Sequence, residues 1–370
     1  MSEATTPRER LDAIQCLRGL AALMVVADHL MERLIKNGLL SESLFRWAWA
    51  LGDTGVFSFF AISGFIIIYS NNSAQGPGSA VAFLKRRFVR IVPMYYLCTV
   101  AYLFMSLAAK KGLPDWQHVL ASLLFLPLAR LDGATAIPAS APNAYVLFRP
   151  IYELGWTLNY EIFFYALIAI TLVVGLSLRR ATIALVAVMA LLAMAGLYLR
   201  LPAGHNLGFD MIIYYTRMIV LFFAAGVIAA FIRLRLPSAA VRFDRWPIVS
   251  GLLIGLALTA DIVASATLAS PYPVLLLATF VVIVLASSPT LMANSHSFVL
   301  GAVRRVGDAS YSIYLIHSFL LGAVALVAAR LPVPAIVAVL VAFIAAFVIS
   351  IAVGSLCYAY VERPLLRRFR

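Results

Sequence analysis

Apolar runs long enough to cross a bilayer recur from one end of this chain to the other, and they leave few architectures open to it. A bilayer core of about 30 Å needs about 20 apolar residues in helical form. Ten stretches meet that requirement, at roughly 11–33, 52–71, 87–108, 153–177, 181–199, 210–232, 247–266, 271–288, 308–329 and 334–358. An eleventh, Gln117 to Leu128, is about twelve residues long and too short to span. Only 12% of the residues are charged, against roughly 25% in a soluble globular protein. The polar remainder is too small for a soluble domain, and its longest piece is the loop Asp132 to Arg149. The expectation is one all-α integral-membrane domain over residues 1–370, a polytopic protein of ten transmembrane helices in contact with a lipid bilayer.

The net charge of +13 does not indicate nucleic acid, because the basic residues sit in short runs between apolar segments, as they do in cytoplasmic loops. With both termini inside and 117–128 lying unspanned on the outer side, 18 of the 29 basic residues fall inside and nine outside. Arg18 and Arg217 are left within spans. Making 117–128 a true span would expel either the Lys85–Arg90 cluster or the later basic loops. The first apolar run carries Arg18, Asp28 and His29 with no small-residue cleavage site after it, so it reads as a span rather than a removable signal. Cys16, Cys98 and Cys357 lie in apolar segments without metal-ligand spacing, and no metal site is expected.

Ionisable groups at membrane depth cost several kcal/mol and persist where they pair or line a cavity. Arg18 and His29 are eleven residues apart, about three helical turns, so they share a face about 16 Å apart along the axis. Glu161, in Trp156-Thr157-Leu158-Asn159-Tyr160-Glu161, sits about 12 Å below the outer edge of its span by helical rise. That is the depth expected for His29, and a carboxylate beside an imidazole fixes its tautomer for general-base work. Arg87 and Arg90 share one helical face where the third span enters the membrane. Ser310, Tyr314 and His317 fall along one face of the ninth span. Asp53 begins the second span, and Arg217 lies below the outer edge of the sixth. Each has an ordinary alternative: Arg18 snorkelling, His29 and Glu161 as a structural pair, Arg87 and Arg90 as anchors, His317 satisfying a hydroxyl, Asp53 as a helix-start acid. His118, His205 and His296 fall in or near loops and carry no such signal.

At these residues the sequence resembles the acyltransferase family 3 of membrane enzymes. Its elements occur in order: Leu17-Arg18-Gly19 through His29; Gly55-Val56-Phe57-Ser58-Phe59-Phe60-Ala61-Ile62-Ser63-Gly64-Phe65; Arg87-Phe88-Val89-Arg90-Ile91-Val92-Pro93; Trp156 to Glu161; Ser310-Tyr311-Ser312-Ile313-Tyr314-Leu315-Ile316-His317; and Glu362-Arg363-Pro364. The family's aspartate after Gly-Val is replaced by Phe57, with Asp53 one turn earlier. The Trp-Thr-Leu-Asn-Tyr-Glu form is similar to the exopolysaccharide (succinoglycan-type) subgroup, rather than to O-antigen acetylases with an added soluble domain.

The resemblance implies an acyl-CoA donor, with acetyl-CoA the leading form. It is reached from the cytoplasmic side of a bacterial inner membrane, and Arg18, Arg87, Arg90, Ser310, Tyr314 and His317 are the expected donor-side residues. The arm of CoA matches the Arg18–His29 separation. His29, oriented by Glu161, is expected to act as general base or as a transient acyl carrier. Asp53, Trp156, Asn159 and Arg217 are expected to meet the acceptor, a glycan or lipid-linked sugar, or else a small hydroxylated metabolite. A secondary transporter is the competing class, but the inverted repeats and paired broken helices common in transporters are not seen.

Overall fold

The computed structural model describes residues 11–72, 74–110, 114–129, 148–199, 207–235, 247–268, 271–287 and 298–368, and every regular element among them is helical. In chain order the helices are α1 (Asp12–Lys36), α2 (Phe45–Ser70), α3 (Pro77–Ala108), α4 (Trp116–Leu123), α5 (Trp156–Val173), α6 (Leu178–Tyr198) and α7 (Leu207–Tyr215). They continue as α8 (Val220–Arg235), α9 (Pro247–Thr267), α10 (Tyr272–Ala286), α11 (Phe298–Asp308), α12 (Ser310–Ala328), α13 (Ala335–Cys357) and α14 (Arg363–Arg368). A π turn, Tyr358–Glu362, joins the last two.

Every expected span has a helical counterpart, but not every counterpart is long enough to cross. Seven are long and apolar enough by themselves: those containing α1, α2, α3, α5, α6, α12 and α13. The sixth expected span is a pair, α7 and α8, bent by 49° at its break, and counting the pair as one span brings the number to eight. The seventh and eighth are shorter apolar helices within α9 and α10. The stretch expected not to span overlaps α4, only eight residues long, or about 12 Å. Most of the long loop lies outside the described residues, as do His205 and His296 and, of the residues in the charge tally, Arg8, Arg10, Lys111, Arg130, Arg200, Arg242, Arg245 and Arg370.

The surface is inside out relative to a soluble bundle. Phe104, Leu191 and Ile344 are 68%, 65% and 65% exposed on α3, α6 and α13, as lipid-facing side chains are. Polar atoms turn inward instead. α1 packs against α2, α11, α12 and α13, and α2 packs on its other sides against α8, α9 and α10. Close approach of α2 and α8 depends on small residues, as is usual between helices in lipid. A methyl group at Gly226 would overlap the Ala61 carbonyl, and one at Gly64 would overlap that of Phe223.

One irregular piece sets the depth of the site. Before α5 the chain dips into the bundle, burying Phe148, Ile151, Tyr152 and Leu154. Ile151 N donates to Ser122 Oγ at 2.8 Å. The Tyr152 hydroxyl donates to the Leu315 carbonyl of α12 and lies 2.9 Å from Ser318 Oγ. Consequently α5 starts inside the protein rather than at its rim.

Candidate active site

At one end of the site, α1, α2, α3 and α5 bring Arg18, Ser63, Arg87, Arg90 and Glu161 to the wall of a single chamber, with Tyr165 and Tyr311. Arg18 Nη1 donates to Gln15 Oε1 at 3.1 Å, one turn back on the same helix. The Arg87 guanidinium lies 5.6 Å from the Phe83 ring centroid and 5.7 Å from that of Tyr165, a cation–π seat that holds it without neutralising it. Ser63 Oγ donates to Glu161 Oε2 at 2.9 Å. Tyr311 ties α12 to α3 by donating to the Ile91 carbonyl at 2.7 Å. Glu362 accepts from Ser312 Oγ at 2.6 Å and is an electrostatic neighbour of Arg90 and Arg18. Three guanidinium groups against the one carboxylate of the wall leave this end positive, while the rest of the wall is apolar, with Val56, Phe59, Ile62 and Ile66 among it. Arg87 and Arg90 also line a second cleft with Ser70, Asn71, Ser79 and Arg86, so the Arg-x-x-Arg pair stands between cleft and chamber.

At the other end, α1 supplies Asp28, His29 and Glu32 and α2 supplies Trp49 and Asp53. The segment before α5 adds Arg149 and Glu153, and α5 itself adds Trp156. Here acids outnumber bases. His29 Nδ1 is 3.6 Å from Glu32 Oε2, and Glu32 Oε1 accepts from Trp49 Nε1 at 2.9 Å. The His29 ring stacks on that of His317, with centroids 5.3 Å apart and planes inclined by 20°. His317 is fully buried, and its Nδ1 lies 3.2 Å from the Ile313 carbonyl. A carbonyl only accepts, so His317 carries its proton on Nδ1. Arg149 pairs with Glu153 at 2.6 Å. Asp28, His29 and Glu32 offer ligand atoms within 4.8 Å of one another, close enough to chelate a cation. One Glu32 oxygen accepts from the indole and the other faces the imidazole.

The two chambers are adjacent. Val56 and Tyr314 line both, and Tyr314 is held there by Thr157 Oγ1 at 2.9 Å and by donation to the Leu154 carbonyl at 3.2 Å. The cleft and the basic chamber share Arg87 and Arg90, and the basic and histidine chambers share Val56 and Tyr314, so the three cavities follow one another, with volumes of about 120 Å³ and 40 Å³ for the two chambers.

The expected pairing of His29 with Glu161 is not formed; Glu161 belongs to the basic chamber. Equal depth was inferred from a start of the fourth span at the membrane edge, whereas α5 begins inside, with Trp156 already beside His29. Glu161 is five residues further on, about 7.5 Å deeper. Arg18, Arg87, Arg90 and Tyr314 line the basic chamber, and Asp53, Trp156 and again Tyr314 line the histidine chamber. Ser310 and Asn159 are fully buried but line neither chamber, and His317 packs behind His29 instead of lining the basic chamber. Arg217, in the break between α7 and α8, is an electrostatic neighbour of Asp53 rather than part of the wall. Glu32, Trp49, Glu153 and Tyr311 went unrecognised in the sequence. Glu32 had a readable signal, an acid one turn after a membrane histidine; Trp49 had none.

A lipid-facing helical bundle with arginines and a histidine on linked internal cavities defines a multi-pass membrane protein with an internal polar site. The family model for acyltransferase 3, an acyltransferase domain, matches residues 11–355, and the chain belongs to that family. It is 33% identical over 328 residues, 86% of this chain and 91% of the relative, to the exopolysaccharide production protein ExoZ of Rhizobium meliloti (strain 1021). It is also 32% identical over 141 residues, 36% of this chain and 68% of the relative, to protein 2 in the picA locus of Rhizobium radiobacter. No solved structure matches.

Proposed function

We propose that this protein is a membrane O-acyltransferase of exopolysaccharide production that moves an acyl group, acetyl in the leading case, from cytoplasmic acyl-CoA to a hydroxyl of an extracytoplasmic glycan or lipid-linked sugar. The observation that carries the proposal is the row of cavities running from Arg86, Arg87 and Arg90, past Arg18, to His29. In this reading the chain crosses the bacterial cytoplasmic membrane ten times with both ends inside, and α4 rests at the outer face.

The phosphates of CoA would meet the arginines, whose delocalised forks suit phosphate oxygens. Its uncharged arm would pass the apolar wall, and the thioester would arrive beyond Tyr314. There His29 removes the proton from an acceptor hydroxyl as the oxygen attacks the thioester carbonyl. The C–S bond breaks, and the proton is returned to the departing thiolate, so the reaction consumes no net proton. Glu161 helps to organise the arginines rather than the base. Asp53, with Arg217 behind it, and Trp156 contact the acceptor. Release of CoA from acetyl-CoA tests the reading, using purified protein and polysaccharide from a strain deleted for this protein. Transfer by wild type and none by His29→Ala supports it; undiminished transfer by His29→Ala sinks it.

A further inference from the structure

We infer that Glu32, anchored by Trp49, is the carboxylate that orients His29, with His317 setting the plane of the ring; this rests on His29 acting as the base. Four acids and one other imidazole surround His29, and the geometry separates their roles. Asp28 packs over the α2 backbone at Gly52, where even a β-carbon would collide with its carboxylate. Asp53 is electrostatically engaged with Arg217, and Glu153 is paired with Arg149 at 2.6 Å. An Asp28 oxygen lies within 4.8 Å of a ring nitrogen of His29, but of the four acids only Glu32 comes within 4.0 Å of one, at 3.6 Å. This is longer than a formed hydrogen bond, but such contacts commonly tighten only when substrate is bound.

A glutamate side chain at 21% exposure has the freedom to turn away, and Lys36 lies one turn on to attract it. The indole N–H of Trp49 at 2.9 Å prevents this by tying one carboxylate oxygen to α2. The other oxygen is left to accept from His29 Nδ1–H, which puts the lone pair on Nε2, where a hydroxyl proton can be taken. The His317 ring, itself locked to the Ile313 carbonyl, stacks on one face of His29 and stops it rotating about its ring bond. A carboxylate acts in the ring plane and a stacked ring across it, so together they restrict both motions that would misdirect Nε2. Glu32, Trp49 and His317 are positioning residues, acting through His29 and not on the substrate.

The test measures kcat, and KM and Kd for acetyl-CoA, with polysaccharide from the deletion strain as acceptor. Glu32→Gln should lower kcat about 100-fold while KM and Kd for acetyl-CoA stay within about twofold, and Glu32→Asp should recover part of the loss. Trp49→Phe, which keeps the ring and removes the donor, should lower kcat about tenfold. A Glu32→Gln enzyme within about threefold of wild type, beside an inactive His29→Ala, overturns the role of Glu32 and leaves the base in place. Retained transfer by His29→Ala would instead remove the base itself. If Glu32→Gln fails to fold, Trp49→Phe decides: an unchanged kcat, or a loss confined to KM, counts against the inference.

Discussion

The basic chamber and the histidine chamber share α1, α2 and Tyr314, yet they are built on opposite electrostatic plans. The first sets three guanidinium groups against Glu161 on an apolar wall; the second gathers Asp28, Glu32, Asp53 and Glu153 around one imidazole. A positive, mostly apolar chamber suits a long anionic molecule with an uncharged arm. The smaller histidine chamber is polar instead, with Arg149 paired to one of its acids and an imidazole among the rest.

That contrast predicts which kinetic constant each substitution moves. The largest effect belongs to the histidine chamber: His29→Ala should cut kcat by about 1,000-fold or more while leaving the Kd for acetyl-CoA unchanged in equilibrium binding. A parallel loss of donor affinity would mean that the chambers are not separate in function. Next come the arginines. Arg87→Ala and Arg90→Ala should each raise the KM for acetyl-CoA about 10- to 100-fold, the equivalent of one charge-assisted hydrogen bond of about 1.5–3 kcal/mol, with kcat changed far less. An unchanged KM would remove the phosphate role.

Glu161→Gln is the sharpest probe of the division. As a counter-ion among arginines it should shift the donor KM only about three- to fivefold. A kcat collapse comparable to that of His29→Ala, at saturating donor, would return Glu161 to the base and break the comparison. The smallest effect is expected at the common wall. Tyr314→Phe removes a hydroxyl bonded to Thr157 and the Leu154 carbonyl, worth about 0.5–1.5 kcal/mol. It should change kcat by less than about tenfold, and a complete loss would make that hydroxyl part of the chemistry.

How much of this was legible varied with the kind of information each residue carries. Arg18, Arg87 and Arg90 announced themselves because a cation in an apolar segment is costly and must have company. Helical spacing alone placed Arg18 and His29 on one line, and the structure sets a cavity at each end of it. Ser310 and Tyr314 illustrate the limit of spacing. They are one turn apart on α12, but Tyr314 lines both chambers and Ser310 is buried away from them, while Tyr311, off the predicted face, lines the basic chamber. Periodicity gives the angle between side chains on a helix, not which direction holds a cavity. Asn159 is likewise buried and lines neither chamber.

The sequence by itself determined that this chain is a membrane-embedded helical protein, which polar groups its apolar segments must accommodate, and which family it joins. Those follow from composition, from the cost of charge in lipid and from order along the chain, none of which needs a neighbour. Only the tertiary structure decided which carboxylate meets His29. Hydropathy measures depth from the edge of an apolar run, and so set Glu161 level with His29. The actual depth was set by the buried path of residues 148–155, fastened to α12 by Tyr152, which carries the start of α5 into the bundle and Glu161 down among the arginines. Glu32 takes that place because Trp49, on another helix and seventeen residues away, holds it there.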